Sequence, residues 1–309
     1  MALALLFPGQ GSQFVGMGKE LAESFPEALE VFDEADDVLG FHLSRLMWEG
    51  PDEVLTETRN AQPALLTHAI AAHRVVTGAV AGAGYAAGHS LGEFSAHVAV
   101  GTLSLADGLR AVRRRGELMS EAGKARPGAM AAVLGLDDAA VVEVCGRVGA
   151  GVCVPANFNA PGQVVISGDT AGVEEGMALV KDAGAKRAIP LKVSGAFHSP
   201  LMAPAEEGLA AHLEAVTFND PKIEVFANVT AGPVLNGADG KEALIHQLTA
   251  PVRWSATIRA MLEAGADRFL EFGPGSVLSG LNKRNAPGVP SAAVGTPEAV
   301  ETLMEGADV

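Results

Sequence analysis

The pentapeptide Gly88-His89-Ser90-Leu91-Gly92 restricts this chain more than any other stretch. A G-x-S-x-G pattern places a serine on a tight turn between a strand and a helix, its hydroxyl exposed and the next amide free to meet an anion. A strand that feeds a helix in this way belongs to an α/β domain. The apolar run 93–99 continues as that helix and directs its N-terminal amides at the serine. The approach, 79–88, is glycine-rich and only weakly strand-like, so tertiary packing must hold the turn. With 37 glycines in the chain, the pentapeptide alone also fits chance.

Composition agrees with the architecture. The 309 residues are 48% apolar but only 5% aromatic, which suits helices packed closely on a mainly parallel sheet. That length accommodates one large domain, or a main domain carrying a smaller one. A formal net charge of -15 argues against a general nucleic-acid binder. Local basic clusters remain at Arg113-Arg114-Arg115, Lys186-Arg187 and Lys283-Arg284, each of which also reads as solvated surface. The two cysteines, Cys145 and Cys153, match no metal spacing and read as buried thiols in a reducing compartment. The apolar start lacks a basic segment and is cut by Pro8-Gly9, as in a first strand and unlike a signal peptide. The stretch 61–84 is interrupted by His68, His73 and Arg74 and makes a poor membrane span. A cytoplasmic monomer with no bound metal and no membrane contact is expected.

Taken in order, residues 2–7 predict a strand leading into Pro8-Gly9-Gln10-Gly11-Ser12-Gln13. A dinucleotide loop fails there, because Phe14 stands where the third glycine belongs. Helices are predicted over 17–39 (split at Pro26), 60–77 and 105–118, the last carrying Arg115 near its end. From Pro127-Gly128 the texture changes to β-α-β-β-α-β within about 65 residues, the split βαβ order of a ferredoxin-like module. This predicts an insert over 128–193 in an α/β-hydrolase-like large domain of 1–127 and 194–309. A strand at 223–228, helices at 241–248 and 252–264, a strand at 268–271 and a last helix near Leu278 complete it.

A nucleophilic serine needs a base, and a histidine is the usual one. Of eight histidines, His68 and His73 lie in a predicted helix, and His89 beside Ser90 should point away from its neighbour's hydroxyl. His198, in the loop Gly195-Ala196-Phe197-His198-Ser199-Pro200, is the better base. The acids between Ser90 and His198 fall in predicted helices or in the insert, so a Ser–His dyad is as reasonable as a full triad.

Six segments also occur in one family's order: 8–13, 88–93, Arg115-Gly116, 157–163, 195–199 and Phe272-Gly273-Pro274-Gly275. In these segments the chain resembles the malonyl-CoA:acyl-carrier-protein transacylases and the related polyketide acyltransferases, over almost its whole length. The resemblance implies that Ser90 is acylated and that His198 activates it. Gln10 and the Leu91 amide would build the oxyanion hole, Arg115 would fork the malonyl carboxylate, and the Gln247 carbonyl would orient the histidine. Phe197, His89 and Asn159 would line the pocket. Phe197 is the residue of malonyl-selective relatives, where methylmalonyl-selective ones have serine; Gly195, in place of a histidine, departs from the polyketide pattern. The resemblance further implies malonyl-CoA as donor, no resident cofactor, and a holo acyl carrier protein whose phosphopantetheine thiol accepts the acyl group. Docking is expected near Lys186-Arg187 or Lys283-Arg284. A serine thioesterase or esterase, and a carrier-binding module with a degenerate site, are the competing readings.

Overall fold

The computed structural model describes residues 2–306. Among the described residues, ten strands form two sheets: β1 (Ala2–Phe7), β2 (Tyr85–Gly88), β3 (Gly128–Leu134), β4 (Cys153–Ala160), β5 (Gln163–Asp169), β6 (Arg187–Pro190), β7 (Glu224–Ala227), β8 (Gly232–Pro233), β9 (Ala266–Phe272) and β10 (Ser291–Val294). The larger sheet has the order β10-β9-β1-β2-β7-β8 and is parallel except for β8 at one edge. Its strands therefore end at one side, where Pro8, the Ser90 turn, Asn228 and Gly273 all emerge. Ligands of open parallel sheets bind at that edge.

The weak strand at β2 is held by its neighbours. It pairs with β1, Phe7 opposite Gly88, and with β7, Ala87 opposite Phe226. Beneath the sheet, Phe7 stacks on Phe272 at 6.0 Å and meets the edge of His73 at 6.3 Å. The helix Thr58–Val75 is buried on nearly every face, so His68 and His73 are core residues and Gln62 is held away from water.

Helix Leu105–Ala125 begins at a Ser104 cap that accepts from the Asp107 amide at 3.0 Å. It runs beyond the predicted end at 118, so Arg115 lies mid-helix and faces inward. Gly116 and Gly123, which look like breakers in sequence, permit close approach: a Cβ at Gly116 would lie 2.6 Å from Arg59 Cα, and one at Gly123 would overlap the Ser194 carbonyl. The chain also continues past the expected last helix (Val277–Asn285) into β10 and the helix Pro297–Met304, and it has two short helices, Leu43–Glu49 and Asp52–Thr56, that periodicity did not reveal.

The smaller sheet is antiparallel with order β4-β5-β3-β6. Val133, Val141, Val144, Val164, Ile166 and Val173 fill a separate apolar cluster beneath it. Each such side chain contributes ~1.5–3 kcal/mol before ordering entropy is subtracted. β4 is joined to the rest of the molecule: the Phe158 amide donates to Val252 O at 2.9 Å and the Val252 amide to Ala156 O at 2.8 Å. Cys145 and Cys153 are free buried thiols with sulfurs 3.9 Å apart. Among the described residues, no helix is long and apolar enough to cross a membrane.

Candidate active site

Ser90 occupies the left-handed region with φ +52°, a conformation that costs a non-glycine residue ~1–3 kcal/mol. The flanking glycines make the turn sterically possible. A Cβ at Gly88 would overlap the Gly92 carbonyl, and one at Gly92 would overlap the Phe7 carbonyl. The His89 amide ties the turn to β1 by donating to Phe7 O at 2.9 Å. The elbow is thus sharp because two helix and strand backbones pass within van der Waals contact there.

The Ser90 hydroxyl lies 2.8 Å from His198 Nε2, and His198 Nδ1 lies 2.9 Å from Gln247 O. A carbonyl only accepts, so Nδ1 carries the proton and Nε2 is left to accept from the serine. His198 is itself at positive φ (+56°) and 4% exposed. Burial, reinforced by the Arg115 charge, lowers its pKa to about 3. The histidine is neutral at physiological pH and ready to act as a base. Gln247's carbonyl occupies the orienting position that a carboxylate fills in a triad.

Arg115 is 1% exposed. Its Nη1 donates to Gln62 Oε1 at 2.9 Å, and its Nη2 donates to Gln247 Oε1 at 2.9 Å and to the Ser90 hydroxyl at 3.1 Å. Burial lowers its pKa to about 10, opposed by Glu93, so the guanidinium remains charged at neutral pH. These partners are neutral amides and a hydroxyl, and among the described residues no carboxylate pairs with it within 4.0 Å. A buried cation in this position has the charge and the donors to meet a carboxylate in a ligand. Glu93 is fully buried; desolvation raises its pKa to about 7 against hydrogen bonds from the Asn228 amide (2.9 Å) and Gln247 Nε2 (2.7 Å) to Oε2.

A cavity of about 200 Å³ opens onto Ser90, His198 and Arg115, walled by Gln10, His89, Leu91, Met119, Asn157 and Phe197, with the exposed Lys192 at its mouth. Gln10 borders the cavity, and its side-chain nitrogen donates to Thr58 Oγ1 at 3.2 Å. Leu91 stands at the start of the helix Gly92–Ala99, which points its amide end at the site. Phe197 lies close to Gly195, where a Cβ would stand 3.3 Å from both the Phe197 ring and Gly123 Cα. A side chain there would have to displace the ring or the Gly123 backbone by a few tenths of an ångström.

Asn159 lines a neighbouring cavity of about 200 Å³ that shares Gln10, Gly11 and His89 with the Ser90 cavity. It lies at a register shift between Phe158 and Ala160 and accepts from His89 Nε2 at 2.8 Å. Asn157, two residues earlier on β4, borders the Ser90 cavity. Arg113-Arg114-Arg115 is not a basic patch: Arg113 pairs with Glu117, Arg114 with Glu117 and Glu121, and Arg115 is buried. Arg284 is tied to the Pro161 carbonyl and to Gln163 Oε1, while Lys283, Lys186 and Arg187 are exposed. Among the described residues, no group of three His, Cys, Asp or Glu residues is placed to hold a metal.

Sequence reasoning assigned no role to Gln62, Glu93 or Asn228. The signals were faint: a glutamine inside an apolar helix, an acid just after the elbow, and a polar residue at a strand end.

A serine hydroxyl held against a neutral histidine, beside a buried cation and a helix N-terminus on an α/β sheet, fits an enzyme of serine-dependent acyl chemistry, and the comparisons narrow it to an acyltransferase. The acyl transferase domain family matches residues 4–296. A malonyl CoA-acyl carrier protein transacylase of Bacillus subtilis is 49% identical over 98% of this chain and 96% of its own. Among solved structures, an acyl carrier protein S-malonyltransferase from Vibrio cholerae superposes with a TM-score of 0.94 at 42% identity, covering 98% of this chain and 100% of that one. A malonyl-transacylase solved with a holo type II polyketide acyl-carrier protein gives 0.93 at 42% identity, covering 99% and 100%. The chain belongs to the malonyl-CoA:acyl-carrier-protein transacylase family.

Proposed function

We infer that this protein transfers the malonyl group of malonyl-CoA to the phosphopantetheine thiol of an acyl carrier protein through a malonyl ester on Ser90, supplying extender units for fatty acid or polyketide synthesis. The observation that carries the reading is Arg115, a buried guanidinium bonded to the Ser90 hydroxyl and, among the described residues, lacking a direct counter-ion.

In the first half-reaction the Ser90 hydroxyl attacks the thioester carbon while its proton passes to His198 Nε2. The Leu91 amide and the Gln10 loop face the oxyanion, and Arg115 holds the distal carboxylate. Collapse breaks the C–S bond, and the departing CoA thiolate takes the proton from His198. In the second half, the carrier thiol gives its proton to His198 and attacks the serine ester. The C–O bond breaks and the proton returns to Ser90. Gln247's carbonyl supports the imidazolium formed in each half.

Several finer points belong to the same proposal. The strand order β4-β5-β3-β6 suits a ferredoxin-like insert over 128–193 within an α/β-hydrolase-like large domain of 1–127 and 194–309. The exposed Lys186-Arg187 and Lys283 offer positive charge to an acidic carrier on a chain of net charge -15. The protein acts as a cytoplasmic monomer with no resident cofactor.

The test is mass spectrometry of protein incubated with malonyl-CoA, followed by addition of holo acyl carrier protein. The malonyl label should appear on the Ser90 peptide and then move to the carrier. A label that never forms, or that leaves only to water, refutes the transfer.

A further inference from the structure

We propose that Asn228 is a positioning residue for the nucleophile, a side-chain clamp that holds Ser90 in its left-handed conformation and, with Glu93 and Gln247, sets the direction of its hydroxyl. The proposal deepens the acyl-transfer reading and rests on it only for the identity of the substrate.

A sharp turn leaves backbone groups that neither the strand nor the helix can satisfy. Around Ser90 these are its own N–H and the carbonyl of Gly88. One side chain takes both: Asn228 Oδ1 accepts from the Ser90 amide at 2.7 Å, and Asn228 Nδ2 donates to Gly88 O at 2.7 Å. The two bonds bracket the strained residue from either side. A planar amide, with donor and acceptor on one short stem, does this at any pH, whereas a carboxyl group would do so only when protonated.

The clamp is itself fixed. Asn228 follows directly on β7, the strand beside β2, and is fully buried. Its backbone N–H donates to Glu93 Oε2 at 2.9 Å, and its carbonyl accepts from the Arg253 amide at 3.0 Å. Glu93, one turn beyond the serine, also accepts from Gln247 Nε2 at 2.7 Å. That same nitrogen donates to Ser90 O at 3.0 Å. Gln247 in turn supplies the carbonyl under His198 and the amide oxygen beside Arg115. The serine backbone, the histidine and the arginine are thereby referred to one buried amide–carboxylate cluster. Asn228 does not border the Ser90 cavity, so it acts through Ser90 and leaves substrate contacts alone.

The experiment compares Asn228→Ala and Asn228→Asp with the unchanged protein in two reactions. One is single-turnover malonylation of Ser90 over a range of malonyl-CoA concentrations. The other is labelling of Ser90 by a small fluorophosphonate, which needs an aligned serine and histidine but no malonyl site. Asn228→Ala should lower the maximal malonylation rate by about a hundredfold, because misplacement of a reacting atom by an ångström costs that much. Half-saturation should stay within about threefold, and fluorophosphonate labelling should slow by a similar factor. Asn228→Asp keeps the acceptor for the Ser90 amide but needs a proton to reach Gly88 O. It should therefore retain more rate than the alanine variant and gain relative to the unchanged protein as pH falls. If Asn228→Ala does not fold, the aspartate variant's pH response decides alone. Undiminished fluorophosphonate labelling in folded Asn228→Ala, or an aspartate variant with no pH response, overturns the proposal. Loss of malonylation in the unchanged protein, with fluorophosphonate labelling intact, would instead refute the substrate reading.

Discussion

Replacing Arg115 by alanine should convert a malonyl-selective site into one that no longer distinguishes malonyl from acetyl. The guanidinium can give a substrate carboxylate two charge-assisted hydrogen bonds, each worth about 1.5–3 kcal/mol. Their loss amounts to about 3–6 kcal/mol, or roughly a hundredfold to ten-thousandfold in kcat/KM for malonyl-CoA. Acetyl-CoA brings no carboxylate and loses only the help of the Nη2 contact to the Ser90 hydroxyl. Its rate should change by less than about tenfold. The substitution also leaves Gln62 Oε1 and Gln247 Oε1 without their donor, so thermal unfolding must be measured beside activity and rates compared only on folded protein. A further sign is independent of selectivity: with the Arg115 charge gone, the pKa of His198 should rise from about 3 towards its ordinary value. The assay is time-resolved mass spectrometry of the Ser90 acyl adduct with each thioester. Equal loss for both substrates would mean that Arg115 is structural, and no loss for malonyl would mean that the carboxylate is held elsewhere.

Phe197→Ser enlarges the cavity wall beside His198 and should raise methylmalonyl relative to malonyl transfer by about tenfold, within the ~1–3 kcal/mol that one methyl can contribute in an apolar pocket; competition between the two thioesters reads the ratio. Gly88→Ala forces a Cβ into the Gly92 carbonyl, so the variant should lose Ser90 labelling and several kcal/mol of stability (on the order of 3) in a urea melt. Acid should destabilise the fold before pH 4. Burial lowers His68, His73 and His97 to about 4 and His198 to about 3, below the 6.5 of the unfolded chain. Their contribution is fully present above 6.5 and is lost as pH falls towards those values, because the unfolded state then binds more protons. Glu93 works in the opposite sense: raised to about 7, it removes stability as pH climbs from 4.5 through 7. His97, whose two ring nitrogens are buried without partners, tests the acid limb. His97→Leu should narrow the difference in urea midpoint between pH 7 and pH 5, and an unchanged difference would refute its part.

The elements best read from sequence were those whose local chemistry already agreed with the fold. The strand 2–7, the proline-split helices and the alternating elements of 128–190 appear within a few residues of expectation. Helix 105–125 runs seven residues past its expected end at 118, through Gly123, whose missing Cβ lets the Ser194 backbone pack against it. The short helices after Leu43 carry too few turns for periodicity to register. At the site, Ser90 and His198 stood out by residue type and motif, whereas the role expected of Arg115 came from the family resemblance alone. Asn159 lies at a register irregularity of β4, and its bond to His89, 70 positions away, follows from tertiary packing and not from local pattern.

By itself the sequence determined the nucleophile's turn, the absence of a convincing acid partner and the α/β texture, since glycine spacing, residue chemistry and hydrophobic period are local properties. Only the tertiary structure decided the rest. The hydrogen bond from Ser90 to His198 spans 108 positions, and the bond from Arg115 to Gln247 spans 132. The clamp of Asn228 on Gly88 spans 140. Distances of that kind are set by which strands lie side by side. Burial then turns those neighbours into chemistry: away from water, a histidine stays neutral, an arginine keeps an unmatched charge, and one amide can hold a serine in a conformation that it would otherwise leave.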